Sequence, residues 1–160
     1  MSDNKPARVL GPHDGEILAV AGGGHDRFMI TGKDGAVGFS LVEHLLPPFA
    51  LAAPLHRHSQ EDEYSYILEG RVGALLGDQE VFGEAGDLIF KPRGQWHTFW
   101  NAGDSPARIL EMISPGGFEQ AFREINALGD SATPEAIADI GSRYGIDVDF
   151  EGTGPVMERH

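Results

Sequence analysis

Short apolar runs separated by glycine-rich turns fill the first two thirds of the chain. Glu16-Ile17-Leu18-Ala19-Val20 reads as a strand that ends at a Gly22-Gly23-Gly24 turn. Arg27–Thr31 and Val37–Leu45 read as a hairpin around Gly32-Lys33-Asp34-Gly35. Glu63–Leu68 is rich in sheet-favouring residues, and Gly70 suits a tight turn after it. Arg71–Leu76 and Gln79–Phe82 pair through Gly77-Asp78, and Asp87–Lys91, His97–Asn101 and Ala107–Ile113 continue the series. Many short strands at this spacing predict an all-β fold, a small antiparallel barrel or jelly roll.

The period then changes. Phe118, Ala121, Phe122, Ile125 and Leu128 recur at helical spacing, with Gly129 where a helix stops. Thr133 and Pro134 signal a second start, and that helix runs through Ile137 and Ile140 to about Tyr144, before Gly145. The chain thus divides into a loose segment over 1–13, strands over 14–114, C-terminal helices over 115–145 and a tail over 146–160. The helices are expected to cover an outer face, the alternative being a lid near a pocket mouth.

Three histidines and a carboxylate stand out against this pattern. His56 and His58 are two apart on an extendable run, so alternation places both imidazoles on one face and Arg57 on the other. Glu63 follows the polar stretch Ser59-Gln60-Glu61-Asp62, where a bend restores it to that face. His97 comes after Pro92-Arg93-Gly94, and only a folded sheet brings it to the others. Three neutral nitrogens with one carboxylate suit one divalent transition metal (Fe, Ni, Mn, Co, Cu or Zn) and disfavour calcium or magnesium.

These residues carry a resemblance. His56, His58, Glu63 and Gly70 fill G-x5-HxH-x3,4-E-x6-G, and Gly86, Pro92, Gly94, His97 and Asn101 fill G-x5-PxG-x2-H-x3-N. The one departure is Ala50 in place of the first glycine, a turn position. Over about residues 36–113 the chain therefore resembles the cupin superfamily. The resemblance implies a single-domain cupin β-barrel with His56, His58, Glu63 and His97 as metal ligands, and a homodimer. The segment Pro115-Gly116-Gly117-Phe118-Glu119-Gln120-Ala121-Phe122 is similar to small quercetinase-like members, which implies dioxygen cleavage of a flavonol-like compound.

A divalent ion in that set leaves net positive charge, which favours a small organic anion such as an enolate or phenolate. Leu88, Phe90 and Phe99 are expected to line an apolar pocket around it, with Lys91 on the opposite face. Glu63 is a candidate catalytic base, because burial in apolar surroundings raises a carboxyl pKa. Three functions stay open: a dioxygenase using O2; a non-redox lyase, isomerase or cyclase; and a non-catalytic small-anion-binding protein.

Charge narrows the partners. Twelve Lys and Arg against 25 Asp and Glu give a formal net charge of −13, which repels nucleic acid and anionic membranes. Without cysteine there is no disulfide framework and no thiolate ligand. The N-terminus lacks the apolar core of a secretory signal, and the longest near-apolar run is broken by prolines, so a cytoplasmic location is expected.

Overall fold

The computed structural model describes residues 6–20, 22–34 and 38–160. The expected turn residue Gly35 and the start of the expected strand at Val37 lie outside them, as do residues 1–5 of the loose segment. Eleven strands form among the described residues: β1 (Glu16–Val20), β2 (Gly24–Ile30), β3 (Ser40–Leu46), β4 (Leu51–His58), β5 (Asp62–Glu69), β6 (Arg71–Leu76), β7 (Gln79–Glu84), β8 (Leu88–Lys91), β9 (His97–Asn101), β10 (Ala107–Ser114) and β11 (Ile146–Asp149). Helices α1 (Glu119–Leu128), α2 (Pro134–Arg143) and α3 (Phe150–Glu158) complete the chain.

The strands make two antiparallel sheets, ordered β1-β2-β3-β10-β5-β8 and β11-β4-β9-β6-β7. This corrects the expectation of an all-β, closed barrel. Each sheet keeps two open edges, and three helices make the fold mixed α/β. The physical reason lies at β1 and β11. Helix α1 packs on β1 and on α2, and α2 packs on β11, so a helix pair stands between these two edge strands where closure would need strand pairing. Residues 146–160, expected as a tail, hold β11 and α3. Strand β11 pairs with β4 at His56, Arg57 and His58, and Asp149 caps α3 by accepting from Gly152 N–H at 2.8 Å.

The core lies between the sheets. Val72, Ala74 and Phe99 of one sheet meet Leu46, Ile67, Ile89 and Ile109 of the other, each at least nine-tenths buried. Burial of such side chains contributes about 1.5–3 kcal/mol apiece. Gly73 is needed here, because a Cβ on it would lie 2.4 Å from the buried Trp100 indole. Asn101 ends β9 with its Nδ2 within 3.1 Å of the Leu46, Pro47 and Ser105 carbonyl oxygens, which ties the end of that strand to the neighbouring loops.

A second cluster joins the helices to the sheets through Ile113, Phe118, Ala121, Ile140 and Ile146. The helices begin and end as their sequence signals predict, with Thr133 Oγ1 accepting from Ala136 N–H at 3.2 Å and Gly129 at positive φ after α1. They do not lie on an outer face. Phe118 and Phe122 meet edge-on, and each also meets a buried imidazole edge-on, Phe118 at His58 and Phe122 at His44. No helix among the described residues is long and apolar enough to cross a membrane.

One buried carboxylate ties α1 to the strands. Glu119 accepts from Gly32 N–H at 2.9 Å, from Gly117 N–H at 2.8 Å and from the Ser40 hydroxyl. Burial raises its pKa, but the hydrogen bonds from Ser40, Gly32 and Gly117 outweigh that and leave it below the usual glutamate value. A depressed folded pKa adds stability above the unfolded value, and that stability is lost as pH falls through the folded one. Glu119→Ala should therefore lower unfolding free energy at neutral pH by about 2 kcal/mol in urea titrations. The gap from wild type should narrow below about pH 4; an equal gap at all pH would contradict this account.

Candidate metal centre

Strand β4 alternates as its sequence requires: His56 and His58 are buried, while Arg57 points out to pair with Asp147 at 2.8 Å. Ser59–Glu61 bends the chain, and β5 then carries Glu63, Ser65 and Ile67 on its buried face. The turn before β9 is fixed to β4 by Gly94 N–H donating to the His58 carbonyl at 2.7 Å, with Gly94 at φ 80°. His97 consequently pairs with His56 in the β4–β9 register. The five-stranded sheet supplies the three imidazoles and the six-stranded sheet supplies the carboxylate.

The four expected ligands converge. His56, His58, Glu63 and His97 are all buried, and one ligand atom from each lies within 4.8 Å of the others. Each histidine turns its Nδ1 away from the centre and onto an acceptor: His56 to the Pro54 carbonyl at 2.7 Å, His97 to the Gln95 carbonyl at 3.1 Å, His58 to the Glu61 carboxylate at 3.3 Å. Because these partners can only accept, each Nδ1 carries a proton, which leaves each Nε2 turned toward the centre. His97 Nε2 lies 2.9 Å from Glu63 Oε2. His58 Nε2 is 3.4 Å from Glu63 Oε1 but is not aligned to hydrogen-bond, so it is a buried nitrogen without a partner. Three imidazole nitrogens and a carboxylate oxygen thus converge, and this donor set fits a divalent transition metal.

Electrostatics point the same way. Burial lowers the His56 pKa, the neighbouring His97 and His58 add to that, and Glu63 offsets it only in part, so the ring is held neutral. Glu63 differs from expectation. Burial alone raises its pKa, but Lys91, His58 and His97 together outweigh burial and hold it well below the usual range. The expected raised pKa, on which its part as a base rested, is therefore not what the structure shows.

Lys91 is the reason, and the sequence reading placed it on the wrong face. Its Nζ lies 3.2 Å from Glu63 and 2.9 Å from Glu111, and Glu111 accepts from Ser65 Oγ at 2.6 Å. Burial lowers the Lys91 pKa, but Glu111 and Glu63 raise it more, so the amine stays charged. The phase of β8 is inverted relative to expectation: Ile89 and Lys91 are buried, whereas Leu88 and Phe90 are exposed on the outer face, Phe90 stacked on Tyr64. Of the three expected pocket residues only Phe99 is inside, its ring 4.1 Å from Lys91 Nζ. Cross-strand pairing of Glu63 with Lys91 decided the phase, and apolar patterning in four residues could not reveal it. Reasoning from sequence also missed Phe118, whose ring centroid is 4.6 Å from that of His58. Beside His56 the cluster meets a small apolar cavity of ≈ 70 Å³ walled by Phe118, Phe122 and Ile146.

Comparison with known proteins fits this geometry. Residues 42–113, which include all four converging side chains, match the family described as Cupin domain. Over that stretch the chain is similar to a cupin domain. The chain is 30% identical over 93 residues to the tetracenomycin polyketide synthase protein TcmJ of Streptomyces glaucescens, a match covering 58% of this chain and 62% of that one. It thus spans less than two thirds of that relative. Among solved structures it is similar to the polyketide cyclase RemF from Streptomyces resistomycificus (TM-score 0.58, 29% identity, 68% of this chain and 79% of that one). KdgF from Halomonas sp. shares the fold (TM-score 0.62, 16% identity, 72% and 99%).

Calorimetric titration with zinc should show one ion per chain. Glu61→Ala keeps all four inward groups but frees the His58 ring, and should weaken zinc binding roughly 10- to 100-fold. His97→Ala should weaken it further. Unchanged binding in both variants would contradict the assignment.

Proposed function

We propose that this protein is a metal-dependent, non-redox cyclase of small enolisable polycarbonyl compounds, with His56, His58, Glu63 and His97 holding the ion. Two separate similarities support the reaction class: RemF is a polyketide cyclase and TcmJ a polyketide synthase protein. The observation that carries the reading is the pairing of a buried, cation-seeking tetrad with an apolar cavity at His56. A divalent ion bound there supplies a Lewis acid for an enol or carbonyl oxygen.

The chain's own groups do the rest. Lys91 keeps Glu63 ionised, so Glu63 serves as a ligand and charge balance and not as a proton store. Phe118 and Phe122 wall the cavity and exclude water, which strengthens every charge interaction inside. In the cyclisation an enol carbon bonds to a ketone carbon as the enol O–H gives up its proton and the ketone oxygen takes one, and the resulting hydroxyl then leaves as water together with a hydrogen from the adjacent carbon. No electrons change hands, and dioxygen has no part. This departs from the dioxygenase implied by the quercetinase-like segment, because the relatives at 29% and 30% identity bear on polyketides.

Zinc-loaded protein incubated anaerobically with a synthetic 1,3,5-triketone should give a ring product lighter by one water, and metal-free protein should give none. Turnover that requires oxygen or a redox-active metal would overturn the cyclase reading in favour of a dioxygenase. Tight binding of the triketone without turnover would favour a binding protein.

A further inference from the structure

A second buried polar pair lines a cavity next to the one at His56. Asp26 on β2 and His44 on β3 are direct cross-strand partners, 8% and 6% exposed. His44 Nδ1 lies 2.6 Å from Asp26 Oδ1. An ionised carboxylate only accepts, so Nδ1 carries the proton and Nε2 is the nitrogen left to act. No hydrogen bond among the described residues engages Nε2. The His44 ring packs edge-on against Phe122 and lies 6.2 Å from Phe99, so its surroundings are otherwise apolar. A charged pair with an idle nitrogen in such a place is costly to fold around and does nothing for packing that two apolar residues would not do better.

The pair lines a cavity of ≈ 160 Å³ whose other walls include Leu46, Ala53, Pro54, Phe122, Ile125 and Ile137. Five of its residues, Ala53, Pro54, Phe122, Ile125 and Ile137, also wall the smaller cavity at His56. The cavity at His44 and the cavity at His56 are thus neighbours with shared walls, and each has its own polar centre.

We propose that His44, oriented by Asp26, is a second substrate-contacting residue, whose Nε2 hydrogen-bonds an oxygen at the end of the substrate remote from the metal centre. The substrate class follows, resting on the cyclase reading above: a flat, largely apolar ring system or enolised chain with oxygen functions at opposite ends. Several charged groups bear on His44, namely Asp26 from β2, Glu111 from β10 and Lys91 from β8. Burial lowers its pKa, but the charge and hydrogen bond of Asp26, helped by Glu111, outweigh burial and Lys91. The net rise favours a ring that donates from both nitrogens. In a cyclisation this places a proton donor beside the ketone oxygen that gains a proton, and His44 recovers its proton from solvent.

The test uses two naphthols as probes of the zinc-loaded protein: 2,6-dihydroxynaphthalene, with oxygens at both ends, and 2-naphthol, with one. Affinities are measured by calorimetry for wild type, His44→Gln and Asp26→Asn. In parallel, the imidazole nitrogen signals of wild type are followed by NMR, a readout that needs no variant. Both substitutions should weaken the dihydroxy probe about tenfold or more, the worth of one charge-assisted hydrogen bond. They should change 2-naphthol binding much less, and the dihydroxy probe should shift the His44 Nε2 signal. Equal losses for both probes, an unmoved His44 signal, or no binding of the dihydroxy probe to wild type would overturn the proposal. If the triketone is not cyclised yet His44 responds as described, the His44 contact stands and the cyclase reading falls.

Discussion

One carboxylate, Glu63, holds the interior of this protein together. It sits on the six-stranded sheet, yet His58 and His97 reach it from the five-stranded sheet at 3.4 and 2.9 Å, and Lys91 reaches it from its own sheet at 3.2 Å. An isolated carboxylate at 3% exposure would cost several kcal/mol of lost hydration. Strand positions across the core answer that cost: His97 stands opposite His56 in register, and Lys91 stands beside Glu63 with its Nζ 2.9 Å from Glu111. The two sheets can approach only if this row of charges closes, and the row closes with its imidazole nitrogens aimed at a common point. Stability and ion binding thus depend on the same few side chains.

Around that row the inner face is sorted by strand register. Glu63 and Lys91 occupy one level, Glu111 and Ser65 the next, and His44 the level beyond, with Asp26 alongside. Apolar residues such as Ile67, Ile109 and Ile113 fill the positions between. The helices finish the enclosure. Because α1 brings Phe118 and Phe122 onto His58 and His44, aromatic rings cover that side of the polar row. The formal net charge of −13 over the chain disfavours polyanionic partners.

How much of this was legible in the sequence follows from how local each signal is. His56 and His58 could be read because alternation on one strand fixes both rings. The helix ends could be read because Thr133, Pro134 and Gly129 act on their own neighbours. Lys91 could not, since its inward turn depends on Glu63 and Glu111, far away in sequence but adjacent in the sheet. Strand β11 was hidden for a similar reason. Four residues, Ile146-Asp147-Val148-Asp149, carry a weak alternation that becomes a strand only because β4 offers an edge. Closure of a barrel was the natural extrapolation from strand count, but edge pairing is a property of the assembled sheets, and here helices occupy the gap.

The central claim is that the four inward side chains bind one ion together. X-ray absorption on the zinc-loaded protein reports the atoms around the metal directly. The account predicts a four-ligand or slightly larger shell with three imidazoles at about 2.0–2.1 Å and at least one oxygen at about 2.0–2.2 Å. A shell with fewer than three imidazoles, or one of oxygen alone, would contradict it.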